Sequence, residues 1–268
     1  MTCIQRIYDA LDRISHEETH VATKSKAVDE FCVRVRELAA NSGGQAVGTP
    51  HSTTGTATVM AHRTVQTGTG TDLCRRICNA FSETIRPLSI ADVASDEPLL
   101  TTIREELGEE IALALAPASG TTYSPELRAA VLEAAATRRD ELKTMQRALR
   151  TERKSVEAAL SDTEAIVEDE DPDADAHLLY YSFEELRSYH GRLTRARTRC
   201  DRVSRERQRD IHGIAACSSA ARVSHGDLIS YLYSDVETNY PVLSAIVDLD
   251  RAYAARQRAV RDHLTRRV

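Results

Sequence analysis

The first 40 residues carry a seven-residue apolar repeat, and this periodicity constrains the fold more than any other feature of the sequence. Apolar residues fill the a positions 4, 11, 32 and 39 and the d positions 7, 14, 21, 28 and 35, and only Glu18 and Ser25 interrupt them. Such a repeat is typical of a helix that packs along one seam. It predicts an amphipathic N-terminal helix over residues 1–40, which ends at Asn41 to Gly44 because Asn and Gly tolerate a left-handed cap.

The segment that follows, residues 41–71, has no such period. It is nearly uncharged and rich in Gly, Thr and Ser. A segment of this composition buries too little apolar surface to offset the entropy lost on ordering. We predict a flexible linker over residues 41–71, followed by a helical bundle over residues 72–268.

Two long helices dominate the predicted bundle and form a hairpin over residues 125–211. Ser124 and Pro125 suit the N-cap and first position of a helix that continues to about Val167, and Ser182 with Glu185 forms a capping box for the next one. The short charged connection between them indicates antiparallel packing. The predicted inner stripes are Leu142, Met145, Leu149, Val156, Ala159 and Ile166 on the first helix, and Leu186, Tyr189, Leu193, Ala196, Cys200 and Val203 on the second.

Shorter helices complete the predicted bundle. We expect one from the N-cap Asp72 to a point before Pro87, a second over 98–115, and a third from the N-cap Asp227 to Val236. Residues 212–226 are small and polar, which favours a loop, and Asn239-Tyr240-Pro241 opens a C-terminal helix over 240–266. The buried side of that last helix is predicted to carry Val242, Ile246, Leu249, Tyr253, Val260 and Leu264.

No segment has the alternation of a β-strand, so the fold class is all-α: long antiparallel helices that form a coiled-coil hairpin and helical bundle. The composition agrees, with no Trp, three Phe and many Ala, Leu, Glu and Arg residues. No apolar run approaches the roughly 20 residues that cross a bilayer, so we expect no membrane span. The N-terminus lacks the apolar core of a signal peptide, and the six cysteines are expected to be free thiols in a cytoplasmic protein.

Residues 16–20 read HEETH and match the H-E-x-x-H pattern of a zinc-peptidase helix. Peptidase chemistry would need both histidines on one metal, Glu17 as general base and a third ligand. The heptad instead places His16 and His20 on the side away from the apolar seam, and Glu18 supplies a charge where such helices are usually uncharged. The pattern favours a solvated helix face and leaves a zinc peptidase as a remote alternative.

Cys74 and Cys78 have the i, i+4 spacing that could place two thiolates on one metal ion. No second cysteine pair follows, and the two residues flank the apolar stripe of Leu73, Ile77 and Phe81. The pattern favours small buried hydrophobic side chains.

The segment 187–209 carries nine arginines, which suit contacts with phosphates. The charge of the whole chain is split, because residues 1–175 hold 19 basic and 30 acidic residues whereas residues 176–268 hold 16 and 11. An antiparallel hairpin would bring acidic residues of the first long helix beside the Arg-rich one, which favours ion pairing within the protein over nucleic-acid binding. Those acidic residues are Asp162, Glu164, Glu168, Asp169 and Glu170.

No phosphate loop, nucleophile elbow or Cys/His pair gives positive support to an enzyme, so we predict no catalytic, cofactor-binding or metal-binding residue and no cofactor. The sequence favours a non-enzymatic structural or protein-interaction module built on coiled-coil helices. Its partner would be another protein or a second copy, bound through helical faces. A nucleic-acid-associated protein that uses the Arg-rich helix 187–209 is the alternative.

Six short segments of the sequence form a distinctive set: Tyr123 to Val131, Ser182 to Leu186, Arg199 to Asp201, Arg207-Gln208, Tyr231 to Tyr233 and Asn239 to Leu243. Taken together, they resemble a family of haloarchaeal proteins known as a domain of unknown function. The resemblance would cover most of the chain, with the Gly/Thr linker as a departure, and it implies a helical, coiled-coil protein in the cytoplasm of a salt-loving archaeon. It assigns no catalytic or binding residue.

Overall fold

The computed structural model describes residues 3–43, 65–89, 97–119, 123–169, 178–217, 225–234, 236 and 238–266. Within these ranges the chain is helical and contains no strand, which confirms the all-α class. The helices are α1 (Cys3–Gly43), α2 (Val65–Thr84), α3 (Arg86–Ser89), α4 (Leu99–Leu107), α5 (Glu109–Leu115), α6 (Pro125–Glu168), α7 (Phe183–Cys217), α8 (His225–Leu232) and α9 (Pro241–Thr265), with a 3₁₀ turn at Pro117–Ser119.

Both caps predicted for the long helices are confirmed. The Leu127 backbone N–H donates to Ser124 Oγ at 3.2 Å, and Pro125 is the first residue of α6. At the start of α7, the Ser182 backbone N–H donates to Glu185 Oε2 at 2.6 Å and the Glu185 N–H donates to Ser182 Oγ at 3.3 Å. The hydrogen bond from the Ser182 backbone N–H lowers the pKa of the Glu185 carboxyl. These signals were readable because a cap depends only on residues within one turn.

Two helices predicted within residues 72–115 have wrong boundaries. Asp72 is not an N-cap, because α2 already begins at Val65 and Asp72 lies inside it, paired with Arg75 at 2.5 Å. The helix predicted over 98–115 is two helices, since Gly108 adopts a φ of 98° between α4 and α5. That backbone conformation is open to glycine and costly for other residues, so the helix breaks there.

Helices occupy part of two segments that were predicted to be a linker and a loop. Helices take residues 41–43 and 65–71 of the predicted linker 41–71, and residues 44–64 lie outside the described residues. Of the predicted loop 212–226, α7 takes the beginning up to Cys217 and α8 takes the end from His225. Helix α8 therefore starts before Asp227, and it ends at Leu232 instead of Val236.

Contacts between residues group the chain into two units. Unit 1 comprises Met1–Glu18 and Arg147–Val268, and unit 2 comprises Thr19–Gln146. The predicted division into 1–40, 41–71 and 72–268 follows sequence order, whereas this grouping assigns the two ends of α1, and likewise of α6, to different units.

Unit 1 is built from antiparallel helices. Along α6 and α7 the residue numbers of paired side chains run in opposite directions: Arg199 pairs with Asp169, Arg202 with Asp162 and Arg207 with Glu152. The same reversal relates α7 to α9, where Thr194 contacts Gln257 and Arg197 contacts Asp250. It also relates the start of α1 to α6, through Tyr8 with Glu164 and Glu18 with Arg153.

The predicted apolar stripes lie in the cores of the units. All six predicted stripe residues of α7 are buried, and so are all but Met145 on α6 and all but Leu264 on α9. Phe31 is fully buried in unit 2 although it lies outside the predicted seam, and its ring packs edge-on against Phe81 with centroids 5.9 Å apart. Such an aromatic pair adds geometric preference to its burial of apolar area.

Candidate functional site

The HEETH residues lie on a helix surface and do not converge. His16 is exposed, and its Nδ1 lies 2.8 Å from the Asp12 carbonyl oxygen one turn earlier; His20 is partly exposed. Glu17 accepts a hydrogen bond from Tyr231 at 3.4 Å, and Glu18 is paired with Arg153 at 2.7 Å. Within the described part of the chain, no group of three or more His, Cys, Asp or Glu side chains could hold a metal ion.

The Arg-rich segment of α7 is largely paired with carboxylates inside unit 1. Six of its nine arginines form ion pairs with described acids, and two of those acids, Asp162 and Asp169, are the predicted neighbours on α6. The six are Arg197, Arg199, Arg202, Arg205, Arg207 and Arg209. The expected ion pairing is therefore present between α6 and α7.

The beginning of α7 differs from the rest of that helix. Tyr180 and Leu179, just before it, are 83% and 72% exposed, and Phe183 at its first position is also exposed. Further along the helix, about 6 and 18 Å beyond Phe183, Arg187 and Arg195 are exposed and form no ion pair with a carboxylate in the described ranges. We call these five residues the α7 entry patch. Aromatic residues and arginines are enriched at protein interfaces.

A buried ion pair lies in the core of unit 1. The side chains of Glu152 and Arg207 are 0% and 3% exposed, and two parallel hydrogen bonds of 2.5 and 3.0 Å join them. Tyr233 donates its hydroxyl to Glu152 Oε1 at 2.8 Å, and Arg207 also donates to Ser155 Oγ at 2.8 Å. Burial, and then the Glu152 carboxylate, raise the pKa of Tyr233. The network joins α6, α7 and the residue that follows α8.

This network was missed in the sequence, although the heptads carry a signal for it. The predicted stripe of α6 alternates steps of three and four residues and omits the position between Leu149 and Val156, which Glu152 occupies. On α7 the same spacing, continued one heptad beyond Cys200, reaches Arg207. Oppositely charged residues at seam positions of two antiparallel helices are candidates for a buried pair. Thr163 fills the other skipped position of α6 and is buried as well.

Unit 2 has its own buried carboxylate, Glu106 on α4. Lys24 donates to it at 2.5 Å, Arg138 at 2.8 Å and Ser89 at 2.8 Å, from three other helices. Burial alone would raise the pKa of Glu106, but Arg138 and Lys24 outweigh it and hold that pKa below its usual range. No periodic position marked this residue.

A polar groove of about 550 Å³ runs between α7 and α9 in unit 1. Arg197 spans it, donating to Asp250 at 2.9 Å and to Gln257 at 3.1 Å. Cys200 lines the groove but is itself buried, and burial followed by the charge of Asp250 raises the pKa of this thiol to about 12. A thiol with so high a pKa is a poor nucleophile at neutral pH.

A second groove, of about 640 Å³, lies in unit 2 and holds the predicted cysteine pair. Cys74 is buried and Cys78 partly so, and burial raises the pKa of both thiols. The Cys78 Sγ lies 3.9 Å from the carbonyl oxygen of Leu115. Leu99, Leu100 and other small or apolar residues of α4, α5 and the 3₁₀ turn form the walls. Cys74 is buried, as expected for a small hydrophobic side chain, whereas Cys78 is only partly buried.

None of the described helices has a segment both long and apolar enough to cross a membrane.

A family model described as a domain of unknown function (DUF7260) matches residues 5–257. The chain belongs to this family. DUF7260 therefore spans both units, which include the buried pairs and the two grooves. Neither the curated proteins nor the solved structures contain a match to this DUF7260 chain.

Proposed function

We propose that this protein is a non-enzymatic structural or protein-interaction module, and that the α7 entry patch is its contact surface. The observation that carries the proposal is the exposure of Leu179, Tyr180 and Phe183 at the start of a helix that also exposes Arg187 and Arg195, two arginines without ion pairs in the described ranges. Tyrosine and arginine are the residue types that most often dominate binding energy at protein interfaces. The partner is a protein surface with apolar side chains for the aromatic residues and carboxylates for Arg187 and Arg195.

The distribution of the remaining arginines supports a protein partner over nucleic acid. Most arginines of α7 already neutralise carboxylates within unit 1, so few are left for phosphates. In molar salt the Debye length is only about 3 Å, and phosphate-driven affinity falls steeply with salt. Apolar contacts keep their strength there, since salts excluded from protein surfaces favour burial.

The setting that we propose is the cytoplasm of a haloarchaeon, and the helix contacts are proposed to be of the coiled-coil type. The resemblance to haloarchaeal helical proteins supports the setting. The strong preference for Arg over Lys also supports it, since the sequence contains only four lysines. The seven-residue apolar repeats of α1, α6 and α7 support the coiled-coil packing.

Affinity purification from the source organism, at its native salt, tests the interaction. The Tyr180→Ser, Phe183→Ser double variant is expected to lose a partner that the wild type retains. The matched control is Leu113→Ser, which removes another exposed apolar side chain, on α5 of unit 2, and should retain the partner. Partners that survive the double variant and depend on some other surface would contradict the patch.

A nucleic-acid-associated protein is the second candidate, and the same patch gives it its specific support. Single strands bind by stacking bases on aromatic rings and pairing phosphates with arginines, and Tyr180 and Phe183 with Arg187 could serve both contacts. The test is a titration with single-stranded DNA and RNA at low and molar salt. Tight binding that persists at molar salt and is lost in Tyr180→Ser would replace the protein-interaction proposal.

A further inference from the structure

Two thiols of unit 2 open into one groove. Cys74 and Cys78 lie one turn apart on α2, and both line the groove of about 640 Å³. Residues four apart on a helix have Cβ atoms about 5–6 Å apart on the same face. Two sulfur atoms attached at that separation can contact one small ion that lies between them.

We propose that this groove binds one copper(I) ion through the Cys74 and Cys78 thiolates. Thiolates are soft ligands, and among biological metals they select copper(I), zinc and iron–sulfur clusters. The pair brings two sulfur donors, which satisfies copper(I) but falls short of the three or four protein ligands of a zinc site. Asp72 also lines the groove, but its carboxylate is already paired with Arg75 at 2.5 Å.

Binding exchanges two S–H bonds for two copper–sulfur bonds and releases two protons to solvent. The copper bis-thiolate that forms carries one negative charge. A cysteine binds a metal ion as its thiolate, so the metal must displace both thiol protons. Affinity therefore rises with pH, by up to about 100-fold per pH unit for two protons per ion.

The walls of the groove suit a soft, air-sensitive ion. Leu99, Leu100 and Leu115 restrict water on the side facing α4 and α5. An apolar shell controls solvent access and redox behaviour at metal sites. The Cys78 thiol, near the Leu115 carbonyl oxygen at 3.9 Å, turns from that weak acceptor to the ion when it loses its proton.

The experiment titrates the reduced full-length chain with copper(I), without oxygen, against a competing copper(I) chelator. Cys74→Ala and Cys78→Ala are each expected to lose at least about tenfold in affinity and one bound ion per chain. Cys32→Ala is the matched control, because it removes a buried thiol of unit 2 that does not line the groove, and it should bind as the wild type does.

A second variant tests whether copper binding requires the four-residue spacing of the two cysteines or only the presence of two cysteines on α2. Cys78→Ala combined with Ser82→Cys keeps two cysteines on α2 but places them about 12 Å apart along the helix, too far for one ion. It should bind like Cys78→Ala alone. Helical circular dichroism shows whether each variant folds, and X-ray absorption of the copper-loaded wild type gives a readout that needs no variant, with two sulfur neighbours expected.

Several results would overturn the site. These are wild-type affinity in folded Cys74→Ala or Cys78→Ala, an affinity that does not change with pH, and nitrogen neighbours in the absorption spectrum. Zinc that displaces copper(I) from the groove would overturn the choice of ion.

Discussion

Among the described residues each unit buries one carboxylate, but the two units stabilise it in different ways. Glu152 in unit 1 is fully buried against an arginine that is itself buried, and two parallel hydrogen bonds join them. Glu106 in unit 2 has two cations, and both keep contact with water, since the Lys24 and Arg138 side chains are 12% and 27% exposed. Removal of Arg207 from the pair in unit 1 would leave the Glu152 carboxylate buried without a cation. Removal of the Glu106 carboxylate in unit 2 would leave Lys24 and Arg138, which both keep contact with water.

The environments of the two carboxylates also differ in regularity. Glu152 and Arg207 occupy seam positions of two long antiparallel helices, so the pair helps to set their register. Glu106 lies on the short helix α4, outside any seven-residue repeat, and is reached from α1, α3 and α6. A buried pair between two regular helices therefore acts on one helix interface, whereas the Glu106 cluster joins several short and long elements.

The largest expected effect comes from Arg207→Leu, which leaves the Glu152 carboxylate buried without its cation. We expect unfolding free energy to fall by about 3–5 kcal/mol, measured by urea denaturation at constant salt. The exposed pair of Arg205 and Asp201 supplies the control, because Arg205→Leu should cost about 1 kcal/mol or less.

A double variant sharpens that result. Glu152→Leu combined with Arg207→Leu removes both charges and should recover much of the loss, since apolar residues often replace a buried ion pair at little cost. Tyr233 loses its acceptor in this variant, so recovery should be incomplete. A double variant no more stable than Arg207→Leu would show that the pair is not the source of the effect.

Glu106→Gln should have a smaller effect, about 1–3 kcal/mol, because Lys24 and Arg138 can turn to water. The same variant tests pH dependence. The pKa of Glu106 is lowered in the folded state, so its contribution is complete above the ordinary value of 4.5 and is lost as pH falls through the folded pKa. Wild type should lose more unfolding free energy than the variant below about pH 4.5. An equal loss in the two proteins as pH falls would show that Glu106 does not cause the acid sensitivity.

Alkaline conditions should act on unit 1 through Cys200, with an effect of about 1 kcal/mol by pH 10. The folded pKa is raised from 9.0 to about 12, so the stabilisation is complete below 9.0, falls as pH rises and is gone above about 12. Cys200→Ala should lose less stability than wild type between pH 7 and 10, each curve being referred to its own value at pH 7. An equal loss in both proteins would assign the alkaline term to other groups.

The smallest effect is expected for His16→Ala with His20→Ala. Both side chains lie on the helix surface, so the double variant should change unfolding free energy by less than about 0.5 kcal/mol. Metal analysis of the purified wild type is the companion measurement. Tightly bound stoichiometric zinc that disappears in the double variant would restore the peptidase hypothesis.

Local sequence determined the helices and several of their ends. The caps at Ser124 and Ser182 and the stripes of α6, α7 and α9 were predictable because each depends on neighbours within a few turns of one helix. The pairing of Asp162 and Asp169 with arginines of α7 was also predictable, since a short connection forces the hairpin. The break at Gly108 was not, because glycine occurs both inside helices and at their ends.

Tertiary structure alone decided which polar side chains are buried and what they contact. Glu152 and Thr163 occupy seam positions, but their residue types could as well have marked an exposed face, and only packing against α7 and Tyr233 gives Glu152 its partners. Glu106 and the shared groove of Cys74 and Cys78 depend on side chains from helices far apart in sequence. The physical reason is that burial of a charge or a thiol is set by atoms that meet only after the helices have packed.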